Sequence, residues 1–149
     1  MSNGTTVKKR NGRGTEPLNL EKMHKMVEEA TKGVAGVSAS QVEIQSGIQF
    51  YDGITTEEIQ EILIKSASDL IDLDHPNYQF VAARLLLFAI RKQIYGKMRE
   101  LPHLETHIMN CTNQDVYDKD IFTKYSKEEI DKVNGYIDHD RDYLFTYAG

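Results

Sequence analysis

The sequence predicts a mainly α-helical chain: a short β-hairpin, four helices, and then a separate helical segment. Three observations carry that prediction. Asn11-Gly12, a pair typical of tight hairpin turns, lies between two short β-rich stretches. Behind it, apolar residues recur at helical spacing in successive windows, several of them opened by an Asn, Ser or Thr able to cap a helix. Pro102 then separates the last of the four helices from an acidic C-terminal stretch. The 149 residues suit one domain, or a small domain with an appendage.

Thr5 to Arg10 reads as the first strand and Thr15 to Leu18 as the returning one, with Gly14 just behind the turn. Asn19 is the N-cap of a helix from Leu20 to about Lys32, whose buried face is Leu20, Met23, Met26, Val27 and Ala30. Gly33 to Gly36 ends it. Ser38 and Ser40 can cap a shorter helix through Val42, Ile44 and Ile48, which Phe50-Tyr51-Asp52-Gly53 breaks. Thr55 followed by Glu58 is a capping box for a third helix with Ile59, Ile62, Leu63 and Leu70 on its apolar face. After His75-Pro76 a long helix runs from Asn77 to about Met98, with Val81, Leu85, Phe88 and Ile94 on one side. Beyond Pro102 come a helix near Leu104 to Asn113 and a charged connector through Lys124. Ser126 and Glu129 form a second capping box and open a helix towards Tyr136. Tyr136, Tyr143, Phe145 and Tyr147 form an apolar group without an evident partner, so the stretch beyond Pro102 is expected to be the least stable.

Composition narrows the function. No apolar run reaches the roughly 18 residues of a membrane span, and the longest, Phe80 to Ile90, is interrupted by Arg84. The polar, basic stretch from Met1 to Gly14 has no apolar core and does not read as a secretory signal. A single cysteine, Cys111, excludes a disulfide framework and a Cys-rich zinc site, and the cytoplasm is the expected compartment. The net charge of -5 argues against nucleic acid or a membrane as partner. The charge is unevenly placed. Lys8, Lys9, Arg10 and Arg13 precede any acid, whereas acids dominate from Leu101 onward. A small basic locus on an acidic chain suits a compact anion, the alternative being a solvated basic terminus.

No catalytic residue is expected. His103 and His107 share a helix face with Cys111, but no second Cys or acid completes a known metal spacing. Asp138-His139-Asp140-Arg141-Asp142 could hold a cation or serve as a capping network. Phosphate-loop and dinucleotide glycine patterns are absent, and no metal site is predicted. Binding is the better case, because a nucleoside triphosphate needs converging cations, N–H groups at a helix start and an apolar slot for its base. Lys9 and Arg10 flank the hairpin turn, Lys22 lies one turn into the first helix, and Thr55 and Thr56 lie at the positive end of the third. Lys92 sits on the fourth helix, Leu18 and Met23 could sandwich a purine, and Glu16 could accept from an exocyclic amine. Neighbouring strand residues such as Lys9 and Arg10 should point to opposite faces unless the turn twists them together.

These residues resemble a known family. Val7-Lys8-Lys9-Arg10-Asn11-Gly12, continuing in register through Glu16-Pro17-Leu18-Asn19-Leu20-Glu21-Lys22, is similar to the opening of the ATP-cone, the regulatory domain of ribonucleotide reductases. Ile48 to Thr56 resembles that family's segment between its second and third helices. Tyr78 to Arg84, with Arg91-Lys92 and Tyr95-Gly96, resembles its last helix. Tyr136 to Asp142 resembles the start of the catalytic domain in class I large subunits. The resemblance implies a hairpin lid over a four-helix bundle at residues 1–99 and truncated N-terminal helices of the catalytic barrel at 100–149. It implies ATP or dATP as allosteric effector, with Mg2+, in deoxyribonucleotide synthesis. Lys9, Arg10, Lys22 and Lys92 would hold the triphosphate, Thr56 would add a hydroxyl or N–H, and Gln60 would lie beside them. The run Glu16, Pro17, Leu18, Asn19, Leu20, Glu21, Lys22 and Met23 would wrap the adenine. Implied partners are the remainder of the large subunit and a radical-generating small subunit, in the cytoplasm of a cell or of a phage's host.

Two positions depart from the family. Many dATP-inhibited members carry histidines where this chain has Gln60 and Ala89, a departure similar to phage large subunits. Binding by the two nucleotides is therefore expected to be similar. The family's catalytic cysteines and relay tyrosines match nothing here, so the chain alone is expected to be inactive and to carry no redox cofactor. Whether it is a split-gene product, a truncated piece or a free-standing nucleotide-sensing module stays open at this point. The zinc-ribbon transcriptional regulators that also carry this cone do not fit a chain with one cysteine.

Overall fold

Residues 4–12 and 14–149 are described in a computed structural model. Arg13, counted above in the basic stretch, lies outside the described residues. The chain forms two compact units, one of residues 1–90 with 143–149 and one of residues 91–142.

The first unit begins with a hairpin whose strands are shorter than the sequence suggests. Strand β1 (Thr6–Lys8) pairs antiparallel with β2 (Thr15–Pro17), in the register Val7 opposite Glu16. Their connection is a 3-10 turn at Arg10–Gly12 rather than a two-residue turn, closed by the Lys9 N–H donating to the Gly14 carbonyl at 2.9 Å. Gly12 and Gly14 take positive φ of 67° and 94°, which glycine adopts without steric cost. A third strand, β3 (Ile54–Thr55), runs parallel to β1 on its other side, giving the order β2-β1-β3. The sequence reading missed it because two residues show no period and the partner is remote in sequence. Asp52 pins it in place: its Oδ1 accepts from the Thr6 N–H at 2.8 Å and from the Thr6 hydroxyl at 2.6 Å. Gly53, at φ 81°, then turns the chain so that its N–H reaches the Thr6 carbonyl at 2.9 Å.

Helices α1 (Leu20–Thr31), α2 (Ala39–Gly47), α3 (Thr56–Asp69) and α4 (Tyr78–Tyr95) follow. The predicted caps form. Asn19 accepts from the Lys22 N–H, Ser38 from Gln41, and Thr55 and Glu58 make a reciprocal capping box. Val7, Val27, Ala30, Val42, Ile54, Leu63, Val81, Leu85 and Phe88 are buried and make the core. Tyr78 accepts the Ser38 N–H on its hydroxyl at 3.0 Å, and Arg84 donates to the carbonyls of Ala30 and Lys32 at the end of α1. The expected faces are corrected in four places: Leu20, Ile44, Ile48 and Ile94 are 59%, 66%, 81% and 60% exposed. Apolar spacing marks a helix but not how wide its covered face is. The fourth helix stops before Met98 because Gly96, at φ 73°, caps it with an N–H to the Lys92 carbonyl at 3.0 Å.

Tyr143 is not left without a partner, as the sequence suggested. It meets Phe88 edge-on at 6.3 Å between ring centres, and the Arg84 guanidinium lies 4.9 Å over its ring. Tyr136 and Phe145 remain 78% and 59% exposed.

In the second unit α5 (Leu104–Asn113) packs on α7 (Lys127–Asn134), burying Ile108, Thr112 and Ile130. The predicted Ser126–Glu129 capping box forms. The charged connector contains one further short helix, α6 (Ile121–Lys124). Arg91 is buried and donates to Asp142 at 2.6 Å. Among the described residues no helix is long and apolar enough to cross a membrane.

Candidate anion site at the start of the third helix

The first-unit cations of the hairpin go to separate partners. Lys9 Nζ lies 2.8 Å from a carboxylate oxygen of Glu16 on the returning strand. Arg10, carried sideways by the 3-10 turn, reaches α3 instead: its Nε donates to Glu57 and its Nη2 to Gln60 Oε1 at 3.2 Å. The turn thus sends Arg10 away from Lys9, as alternation along a strand would.

The end of α3 that receives Arg10 is electropositive, because the first N–H groups of a helix lack intrahelical acceptors. Glu58 is spent on the cap, its Oε2 accepting from the Thr55 N–H at 2.8 Å and from the Thr55 hydroxyl at 2.9 Å. Its other oxygen accepts from the Tyr51 hydroxyl at 2.8 Å. The Thr55 N–H, the Tyr51 hydroxyl and the Thr55 hydroxyl together hold the Glu58 carboxyl below the usual range. Glu57 turns the other way, towards Arg10, and also accepts from the Thr56 hydroxyl at 3.0 Å. Partial burial pulls its carboxyl up. That is outweighed by its own N–H, the Thr56 hydroxyl and Arg10, which leave it below the usual range.

Gln60 is one helical turn further in and 5% exposed. Its oxygen serves Arg10, but its Nε2 is buried with no partner among the described residues. A buried amide donor without an acceptor costs free energy, on the order of 1–3 kcal/mol, which an ordered water or a bound acceptor would relieve. Arg10 and the Thr56 hydroxyl thus meet on the Glu57 carboxylate at the start of α3, with the Gln60 amide buried beside Arg10.

The remaining expected residues fall into other places. Asn19 spends its side-chain oxygen on the Lys22 N–H at 3.0 Å, and the Lys22 side chain is exposed. Leu18, Leu20, Glu21 and Met23 line a cavity of about 760 Å³ together with Ile44 and Phe50. Pro17 ends β2 just before it. None of Lys9, Arg10, Lys22, Thr56 and Gln60 lines that cavity. Lys92 belongs to the second unit. Glu57 was missed altogether, because an acid in the first turn of a helix ordinarily reads as a response to the helix dipole.

The histidines and acids of the second unit also find partners. His107 Nε2 lies 3.6 Å from Cys111 Sγ, as their helical spacing suggested. His103 turns instead towards Glu105 and Asp131, whose ligand-type atoms all lie within 4.8 Å of one another. Its Nδ1 accepts from the Glu105 N–H at 3.2 Å, so it works as the N-cap of α5. Of the two readings of Asp138 to Asp142, the capping one is visible: Asp138 accepts from the Asp140 N–H at 3.0 Å, and Asp142 takes Arg91.

A hairpin with an added third strand leads, through β3, directly into the start of α3. The chain belongs to the ATP-cone family, whose ATP cone domain matches residues 5–93. It is 45% identical over 99% of its length to ribonucleoside-diphosphate reductase 1 subunit alpha of Escherichia coli (strain K12), covering 19% of that protein. It is 44% identical over 99% of its length to the alpha subunit of Haemophilus influenzae, again covering 19%. The alpha subunit of Enterobacteria phage T4 is 40% identical over 84% of this chain, which covers 17% of it. The chain therefore spans about a fifth of the length of these relatives.

Proposed function

We propose that this chain is the effector-binding regulatory part of a ribonucleoside-diphosphate reductase large subunit, taking ATP or dATP with Mg2+. The regulatory domain is residues 1–99, and residues 100–149 open the catalytic domain. The observation that carries the reading is the surface at the start of α3, where Arg10, the Thr56 hydroxyl and the unspent Gln60 amide converge. The triphosphate is assigned there, with Lys9 and Lys22 closing on it. Lys92 is kept in the set on the resemblance alone. The base is assigned to the cavity at Leu18 and Met23, with Glu16 and Asn19 as polar contacts. The three residues of β1 separate turn from cavity, a span of about 10 Å at strand rise, which leaves room for a ribose between base and phosphates. The chain contributes no catalytic group of its own. Its partners are the remainder of the large subunit and the radical-generating small subunit, in the cytoplasm.

Calorimetry with ATP and dATP tests this reading. Both bind, with similar affinity, because Gln60 and Ala89 offer no ring donors that could tell one ribose from the other. Arg10→Ala weakens both by roughly tenfold or more, the size expected for a charge-assisted hydrogen bond. Unchanged affinity in Arg10→Ala would remove the start of α3 from the site.

A further inference from the structure

We propose that Glu57 is a built-in competitor for the effector's phosphates: its carboxylate holds the anion position between Arg10 and the start of α3, and a nucleotide must turn it away to bind. This rests on the nucleotide-site reading above and concerns how that site is regulated. The groups around the carboxylate are the ones a phosphate recruits. Arg10 Nε donates to it, the Thr56 hydroxyl donates at 3.0 Å, and the electropositive first turn of α3 lies beneath it. The helix does not need Glu57 as a cap, because Thr55 and Glu58 already form a complete box. Nor does the core need it, for its side chain is 40% exposed.

The exposure sets the strength of the competition. A half-exposed ion pair is worth little in water, so Glu57 can be displaced and tunes affinity rather than blocking the site. Gln60 Nε2 shows that the carboxylate does not satisfy the whole surface: a donor remains buried beside Arg10 without an acceptor. A triphosphate has more oxygens to offer than one carboxylate and can reach both. Glu57 thereby sets the effector concentration at which the cone responds.

The experiment is calorimetry of the full chain with ATP and, as a base-free probe, inorganic tripolyphosphate. Wild type is compared with Glu57→Gln, which keeps size and hydrogen bonding but removes the charge. Glu61→Gln, an exposed site one turn further along α3, controls for net charge. The expected result is that Glu57→Gln binds both ligands roughly two- to fivefold more tightly, while Glu61→Gln matches wild type. Equal affinity in Glu57→Gln and wild type, or weaker binding in the variant, overturns the competitor and leaves the nucleotide site standing. The same tightening in Glu61→Gln reduces the effect to net charge and overturns it too. Absence of binding in every form removes the nucleotide site itself, and the competitor with it.

Discussion

Replacing Thr55 by alanine separates the cap of α3 from everything else at the site. The substitution removes one hydroxyl, which accepts the Glu58 N–H at 3.1 Å and donates to Glu58 Oε2 at 2.9 Å. It leaves the Thr55 N–H and the Tyr51 hydroxyl on the Glu58 carboxylate. A lost threonine cap costs about 1 kcal/mol, within a range of roughly 0.5–2. The compact unit that carries it comprises residues 1–90 and 143–149, a size at which 1 kcal/mol lowers Tm by about 4–8 °C if the unit unfolds as one. Thermal unfolding followed by helical circular dichroism should show that fall for Thr55→Ala. Thr55→Ser, which keeps the oxygen but loses the methyl, should stay close to wild type. Under the proposed function, ATP should also bind Thr55→Ala more weakly, because the first N–H groups of α3 lose their fixed orientation. A Tm for Thr55→Ala within about 1 °C of wild type would refute the reasoning. So would a serine variant as unstable as the alanine one, since the methyl and not the cap would then be responsible.

Two further predictions concern charge. Asp52 is held below the usual carboxyl range by the Thr6 hydroxyl first and the Thr6 N–H second, and Glu58 is lowered by its own hydrogen bonds. Because the folded values are depressed, the stabilisation is complete above the unfolded carboxyl range, near pH 4–4.5, and is lost as pH falls through the folded values. Acid unfolding should therefore begin below that range, and Asp52→Asn should flatten its slope; an unchanged slope would contradict the assignment. Arg91→Met should destabilise the unit of residues 91–142 by up to about 3 kcal/mol by leaving Asp142 without its buried partner. Urea unfolding of Arg91→Met beside the double variant Arg91→Met, Asp142→Leu checks this, and the double variant should recover most of the loss.

What the sequence revealed and what it hid divide along one physical line. Caps are local: an oxygen and an N–H three residues away announce themselves, and Asn19, Ser38, Thr55 and Ser126 all cap as read. Contacts between residues remote in sequence leave no such trace. The pairing of β3 with β1 depends on Asp52 meeting Thr6, and the clustering of His103 with Asp131 depends on the packing of α5 on α7. Exposure failed for the same reason, since Ile44 lies on a helix whose neighbours cover a narrower strip than its period suggests, and Ile48 falls just past the end of that helix. The phosphate-binding candidates divided likewise. Arg10 could be named from its place beside the turn, whereas its partner Glu57 could not, because nothing local joins the two residues.

That pairing bears on how strongly the site can bind. Lys9 is matched by Glu16 and Arg10 by Glu57, so two of the assigned cations already hold carboxylates. Under the proposed function a nucleotide exchanges one set of ion pairs for another, and the net gain is the difference between them. Groups without a carboxylate shown on them, the exposed Lys22 and the Gln60 amide, then add to that difference. Such a site binds with modest affinity. Salt weakens both the internal pairs and those made to the ligand, so its affinity should respond to ionic strength less steeply than the charge on a triphosphate alone would suggest. A regulatory site gains from that arrangement, because it must release its effector when the concentration falls. A population of two states shifts only as far as the ligand distinguishes them.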